Sequence, residues 1–208
     1  MNNLDQFKSD VARLFFSLPA SDGYVLAGGG ALLASGLSHR HTEDLDFCGH
    51  RETRQMAIVG RIFELAATRE GWNAQPIRRS EDFVRLQIKS SDTIAIDICQ
   101  DTRAIMPVNH TSVGPTYSGP ELACRKMLAL FSRAEARDFV DVFVLAGKFG
   151  RDALFTQTRT LDAGFGPAPF CEAIARLALF DDVVLPISRE LVPELREFFR
   201  SWAEELSA

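Results

Sequence analysis

Three consecutive glycines, Gly28-Gly29-Gly30, follow directly on the apolar run Tyr24-Val25-Leu26-Ala27, and no other stretch constrains this chain as much. The apolar run reads as a short buried strand. The glycines break it, because only glycine lets the backbone turn freely and come close to a bulky neighbour. The apolar residues Ala31 to Leu37 then read as the start of a helix. Strand, glycine turn and helix N-terminus together aim free N–H groups and a helix dipole at one point, a site for an anionic group. Soon after comes Glu43-Asp44-Leu45-Asp46-Phe47. If Leu45 to Phe47 form a strand, Asp44 and Asp46 point to one face, with Cα atoms roughly 6–7 Å apart. Two carboxylates so placed can share a divalent ion or bracket a pair of them. Mg²⁺, with Mn²⁺ as its substitute, suits such oxygen donors beside substrate phosphates. Alone, a triple glycine is an ordinary turn and an Asp-x-Asp is ordinary loop chemistry. Together at this spacing they point to phosphoryl or nucleotidyl transfer. Neither a P-loop Gly-Lys-Ser/Thr nor a Gly-x-Gly-x-x-Gly fingerprint is present. Between the two halves lies Ser38-His39-Arg40-His41, either a polar loop or, through Arg40, a contact to phosphate oxygens.

A second strand pair carries a third carboxylate. Val84, Leu86 and Ile88 alternate with Arg85, Gln87 and Lys89; after Ser90-Ser91-Asp92, Ile94, Ile96 and Ile98 alternate with Thr93, Ala95, Asp97 and Cys99. This predicts a β-hairpin with one apolar face and one mixed polar face. Asp97, central in its strand, needs a partner or a metal. If Ile88 pairs with Ile94, Arg85 falls opposite Asp97. Asp97 is then either a cross-strand ion-pair partner of Arg85 or the third carboxylate of the site, and Arg85 could serve both.

At 208 residues the chain can hold one large domain or two small ones. With 23 basic and 28 acidic residues the net charge is −5, so a nucleic-acid contact would have to use local patches. Cys48, Cys99, Cys124 and Cys171 are widely scattered without a Cys-x-x-Cys. They suggest neither zinc nor a disulfide framework, but reduced, mostly buried thiols of a cytosolic protein. Met1 to Lys8 is polar and does not read as a signal peptide, and no apolar run reaches membrane length.

Leu4, Phe7, Val11, Leu14, Phe15 and Leu18 predict an amphipathic helix ended by Pro19. Arg51 to Arg69 predicts another, with Met56, Val59, Ile62, Phe63 and Ala66 inside and Arg51, Arg54 and Arg61 outside. Residues 100–120, rich in Pro and Gly, read as a linker. From residue 121 to the end the chain reads as helical, with a possible short strand at Val183-Val184-Leu185. The first of these helices carries Arg125, Lys126 and Arg133 among apolar residues. The next, from about Glu135, places Asp138 and Asp141 three apart on one face with Arg137 just before. Salt bridges account for these charges unless the first motif recruits them.

The run Leu26-Ala27-Gly28-Gly29-Gly30-Ala31-Leu32 with Thr42-Glu43-Asp44-Leu45-Asp46-Phe47 resembles the first motif of the nucleotidyltransferase superfamily, and of its AbiEii-type toxins in particular. Leu122-Ala-Cys-Arg-Lys126-Met-Leu-Ala-Leu, Arg133 and Arg137-Asp138-Phe-Val-Asp141-Val resemble the later motifs of the same family. One departure stands out: the family's Thr/Ser is Gly30 here, which removes a hydroxyl from the phosphate contacts. The resemblance implies an α/β (α+β) fold, a nucleotidyltransferase-type mixed sheet with flanking helices followed by a C-terminal helical bundle, with the α/β domain in residues 1–115 and the helical domain in 116–208. It implies an NTP as substrate, a divalent metal on Asp44, Asp46 and Asp97, and nucleotide contacts from Gly28, Gly29, Gly30, Arg40, Lys126 and Arg137. Asp44, Asp46, Asp97, Lys126 and Asp141 would be catalytic, with Lys126 neutralising triphosphate charge and Asp141, or Asp138, orienting it. A tRNA acceptor and a cognate antitoxin are further implications. Two rival readings remain: the same enzyme with a protein or an antibiotic as acceptor, and a catalytically silent binding module.

Overall fold

The computed structural model describes residues 2–50, 52 and 55–207. The chain divides into two compact units, Met1–Gly119 and Pro120–Ala208. The first holds α1 (Gln6–Ser17), β1 (Val25–Ala27), α2 (Gly28–Ala34), β2 (Asp44–Gly49), α3 (Met56–Arg69), β3 (Asn73–Arg79), β4 (Phe83–Lys89), β5 (Thr93–Gln100), β6 (Asn109–Thr111) and β7 (Gly114–Thr116). Among the described residues, seven strands form one mixed sheet in the order β3-β4-β5-β2-β1-β7-β6. β2 runs parallel to β5 and β1 parallel to β7, while the other neighbours are antiparallel.

Alternation sorts the central strands onto two faces. Leu45 and Phe47 of β2, Val84, Leu86 and Ile88 of β4, and Ile94, Ile96 and Ile98 of β5 are all buried. With Val11 and Phe15 of α1 and Val59 and Phe63 of α3 they make the core of this unit. Phe15 stacks on Phe47 with ring centroids 3.9 Å apart and meets Phe63 at 5.7 Å. The other parity of the same strands carries Asp44 and Asp46, Asp97, Arg85, Gln87 and Lys89. The hairpin has the register expected of it, Ile88 opposite Ile94 and Arg85 opposite Asp97.

Several local expectations are corrected. The second helix begins at Gly28, not Ala31, and ends at Ala34, with Leu37 N–H donating back to Leu32 O at 2.8 Å. The third starts at Met56, because Gln55 is still extended; Arg51 and Arg54, expected on its outer face, lie outside the described residues. β3 has no counterpart in the sequence pattern. It is an edge strand, mostly exposed on both faces, with Pro76 in it and an irregularity between Pro76 and Arg78, so it shows no alternation. Residues 100–120 are not a plain linker: β6 and β7 form a hairpin whose Thr116 pairs with Leu26 of β1. Strands of three residues are too short to leave a periodic signal.

The second unit is helical: α4 (Gly119–Arg133), α5 (Ala136–Phe149), α6 (Arg151–Leu161), α7 (Pro167–Ala175) and α8 (Val192–Ser207). The suggested strand at Val183 to Leu185 is instead a 3₁₀ turn, Asp182–Val184. The core is aromatic. Phe170 lies 5.1 Å from both Phe165 and Trp202, and Phe139 lies 5.3 Å from Phe199. No helix among the described residues is long and apolar enough to cross a membrane.

The edge strand is tied to α3 through charge. Glu64 accepts from Arg79 of β3 at 2.7 Å and from Arg61 at 2.9 Å. Burial by itself pushes the Glu64 carboxyl up, but the hydrogen bonds from Arg79 and Arg61 outweigh it and hold the group below its ordinary value. A depressed carboxylate stabilises the fold above its unfolded pKa, and that contribution disappears as pH falls through the folded value. Glu64→Gln should therefore cost about 1 kcal/mol at neutral pH, roughly 2–4 °C in Tm. In thermal melts across pH, the gap from wild type should close below about pH 4.

Candidate active site

The pairing of β2 with β5 sets Asp46 beside Asp97 and Asp44 beside Ala95. Side chains two apart on a strand share a face, so the three carboxylates occupy one side of the sheet. Asp44 and Asp46 are half-buried, whereas Asp97 is only 7% exposed. Asp97 receives a bidentate clamp: Arg85 donates from Nε at 2.7 Å and from Nη2 at 2.6 Å. The hydrogen bond to Asp97 raises the Arg85 guanidinium against the opposing effect of burial, and the charges of Asp97, Asp44 and Asp46 add to it. One cation thus answers three carboxylates. Of the two readings open for Asp97, the ion pair is the arrangement present.

The glycine turn packs against this cluster. Gly28 has φ +59°, and a Cβ there would sit 1.8 Å from Asp46 Oδ2. Its backbone therefore lies against the carboxylate, and any Cβ there would displace Asp46. The N–H groups of Gly28, Gly29 and Gly30 belong to the first turn of α2, where a helix has no acceptor of its own to offer them. A Cβ at Gly29 would lie 2.7 Å from Thr42 Oγ1 and 3.4 Å from an Arg40 guanidinium nitrogen, which places Arg40 at the turn. At Gly30 a Cβ would meet the Leu45 side chain at 2.6 Å, on the core face of β2. The side-chain direction at residue 30 is thus toward Leu45 and away from the carboxylate face.

Hydrogen bonds from neighbouring residues hold this arrangement. Thr42 donates its hydroxyl to Asp44 Oδ1 at 3.0 Å, fixing the first carboxylate. Arg40 donates to His41 O at 2.9 Å, and its N–H binds Ser38 Oγ at 3.1 Å. Asn3 staples the same loop, donating from its backbone to Leu33 O at 3.0 Å and from its side chain to Ser38 O at 2.9 Å. Buried Lys8 bridges Asp5 and His41. Thr42 is legible in hindsight from its place two residues before Asp44; Asn3 and Lys8 leave no such mark.

The donor set suits a hard cation. Asp44 and Asp46 offer oxygen ligands on one face, and Mg²⁺ is usually held by one or two carboxylates with substrate phosphates. Among the described residues no three His, Cys, Asp or Glu side chains converge as a ready cage. Asp97 would join as a ligand only by sharing its oxygens with Arg85.

The remaining expected residues belong to the helical unit. Lys126 is buried and pairs with buried Asp141 at 2.8 Å. Asp138 is engaged elsewhere: Arg133 donates to it at 2.8 and 2.9 Å, and it completes a capping box with Glu135 at the start of α5. Arg137 Nε lies 2.8 Å from Glu135.

The model of the AbiEii nucleotidyl transferase toxins, of type IV toxin–antitoxin systems, matches residues 12–201. The chain belongs to that family. It is an AbiEii-family nucleotidyltransferase, of a class that takes NTPs as substrates and pairs with an antitoxin. An uncharacterized protein of Aquifex aeolicus is 24% identical over 99% of this chain and 98% of its own length. JHP933 from Helicobacter pylori shares the fold with TM-score 0.55 and 18% identity, covering 98% of this chain and 95% of its own. MenT4, a nucleotidyltransferase toxin of Mycobacterium tuberculosis, does so with TM-score 0.63 and 16% identity over 97% and 82%. At such identities the structural likeness concerns the fold alone.

The contact between the turn and Asp46 sets a test for this AbiEii-family chain. Gly28→Ala should lower nucleotidyl transfer by roughly 10²-fold by displacing Asp46 about 1 Å or more. It should also cost about 1–2 kcal/mol from the left-handed backbone. Activity measured beside urea unfolding separates the two effects, and a fully active Gly28→Ala enzyme would contradict the packing described.

Proposed function

We propose that the chain transfers an NMP from an NTP to an RNA hydroxyl, with tRNA as the acceptor, and that Asp44 and Asp46 hold Mg²⁺ for this reaction. The observation that carries the reading is the Asp46–Asp97 neighbour pair, with Asp44 on the same face and the Gly28 turn packed on Asp46. When bound, the ion would supply charge neutralisation and activation of the attacking hydroxyl. The chain's own groups do the rest. First-turn N–H groups of Gly28 to Gly30 receive phosphate oxygens, and Arg40 at the turn adds a cation. Asp97, oriented by the two hydrogen bonds from Arg85, takes up the hydroxyl proton. The attacking oxygen forms a bond to the α-phosphorus as the bond to pyrophosphate breaks.

The support for RNA is a row of side chains on the carboxylate face. From β2 outward, Asp46, Asp97, Arg85 and Arg78 stand in cross-strand register. The next rows add Gln87 with Gln75, and Lys89 with Asn73. Arg78 lies over the Phe83 ring at 5.3 Å. Exposed Arg78 and Lys89, exposed amides and the half-buried Phe83 ring on an open sheet face suit a phosphate backbone and its bases better than a small closed pocket would. The family resemblance also gives Lys126 the triphosphate charge, with Asp141 holding that lysine.

The test is incubation with Mg²⁺, each α-phosphate-labelled NTP in turn and total tRNA. Label should pass to tRNA, and Asp46→Asn should reduce transfer by roughly 10²–10³-fold. Label on protein instead would overturn the acceptor, and no transfer with any NTP would overturn the catalytic reading. For Lys126, the informative variant is Lys126→Met with Asp141→Leu. Asp141→Ala alone strands a buried ammonium and should cost about 3–5 kcal/mol, most of it recovered in the double variant. A folded double variant with wild-type transfer would leave the pair a purely structural role.

A further inference from the structure

The β2–β5 register that joins Asp46 to Asp97 also joins Cys48 to Cys99, one same-face step further along both strands. Their sulfurs are 3.0 Å apart. The two residues are 51 positions apart in sequence, so the sequence does not disclose the pair. Cys48 is buried, while Cys99 is partly exposed. The other two thiols face oxygen rather than sulfur, Cys124 toward Gln157 Oε1 and Cys171 toward Ala203 O, each at 3.8 Å.

Neighbouring strands lie about 4.8 Å apart, within the Cα separation of about 4.4–6.8 Å that disulfides span. Closing the sulfurs by about 1 Å would bring them to the bonding distance of about 2.05 Å. From this geometry we infer that Cys48 and Cys99 are a peroxide-reactive dithiol, an oxidative modification site that governs the neighbouring carboxylate pair. Partly exposed Cys99 is the thiol that hydrogen peroxide reaches. Its sulfur takes an oxygen from the peroxide to give a sulfenic acid and one water. The Cys48 sulfur then attacks the Cys99 sulfur, the S–S bond forms, the S–O bond breaks and a second water leaves. Two thiols are oxidised by two electrons and one peroxide is reduced to two waters. The new bond fixes the spacing of β2 and β5 next to Asp46 and Asp97.

The reduced full chain is treated with hydrogen peroxide, then examined by thiol titration, intact mass and peptide mapping. Two of the four thiols should disappear, the mass should fall by two hydrogens, and a peptide linking residues 48 and 99 should form and revert with dithiothreitol. Cys99→Ser should abolish the link and Cys124→Ser should not. Nucleotidyl transfer should drop about tenfold or more on oxidation and return on reduction. Sulfinic or sulfonic acid at Cys99 with no link to Cys48 overturns the site, and a formed link with unchanged transfer overturns its governing role. The link itself is read by mass, so whether it forms is independent of which acceptor the enzyme uses. Should Cys99→Ser fail to fold, the wild-type peptide map decides alone.

Discussion

The parallel, in-register pairing of β2 with β5 is the constraint on which the rest of the first unit depends. It brings residues from distant parts of the chain side by side, and because both strands alternate, it does so on two faces at once. On one face it closes the core with Leu45, Phe47, Ile96 and Ile98. On the other it presses Asp46 against Asp97 with Asp44 one step away. Like charges on directly opposed cross-strand neighbours repel. The bidentate Arg85 offsets it, so the third strand of the hairpin system is as necessary to the site as the two that carry the acids.

The glycine turn depends on the same pairing. β1 lies antiparallel to β2 with Ala27 opposite Asp46, so the chain leaves β1 directly over that carboxylate. A residue without Cβ, in a left-handed conformation, begins α2 there without displacing Asp46. The loop that returns to β2 is long and polar, and it is held by Asn3, Ser38, Lys8 and Thr42. Arg40 therefore stands on a stapled segment.

In the helical unit the charged residues of the family motifs are also structural. Lys126–Asp141 and Arg133–Asp138 tie α4 to α5, and each has a buried carboxylate. A buried ion pair adds little net stability over an apolar pair, yet losing one member is expensive.

Sequence alone determined the local chemistry: the break between strand and helix at the three glycines, the same-face Asp44 and Asp46, the β4–β5 hairpin with Arg85 opposite Asp97, and the helical character of the second unit. Each rests on short-range rules of alternation, helical period or glycine conformation, which act within a few residues. Only the tertiary structure decided what crosses the sheet. That Asp97 neighbours Asp46, that Cys48 meets Cys99, that β7 joins β1 and that an edge strand runs from Asn73 to Arg79 are facts of strand order and register. Pairing between strands far apart in sequence is fixed by burying the common apolar face, and a shift of one residue would have sent every one of these side chains to the opposite side.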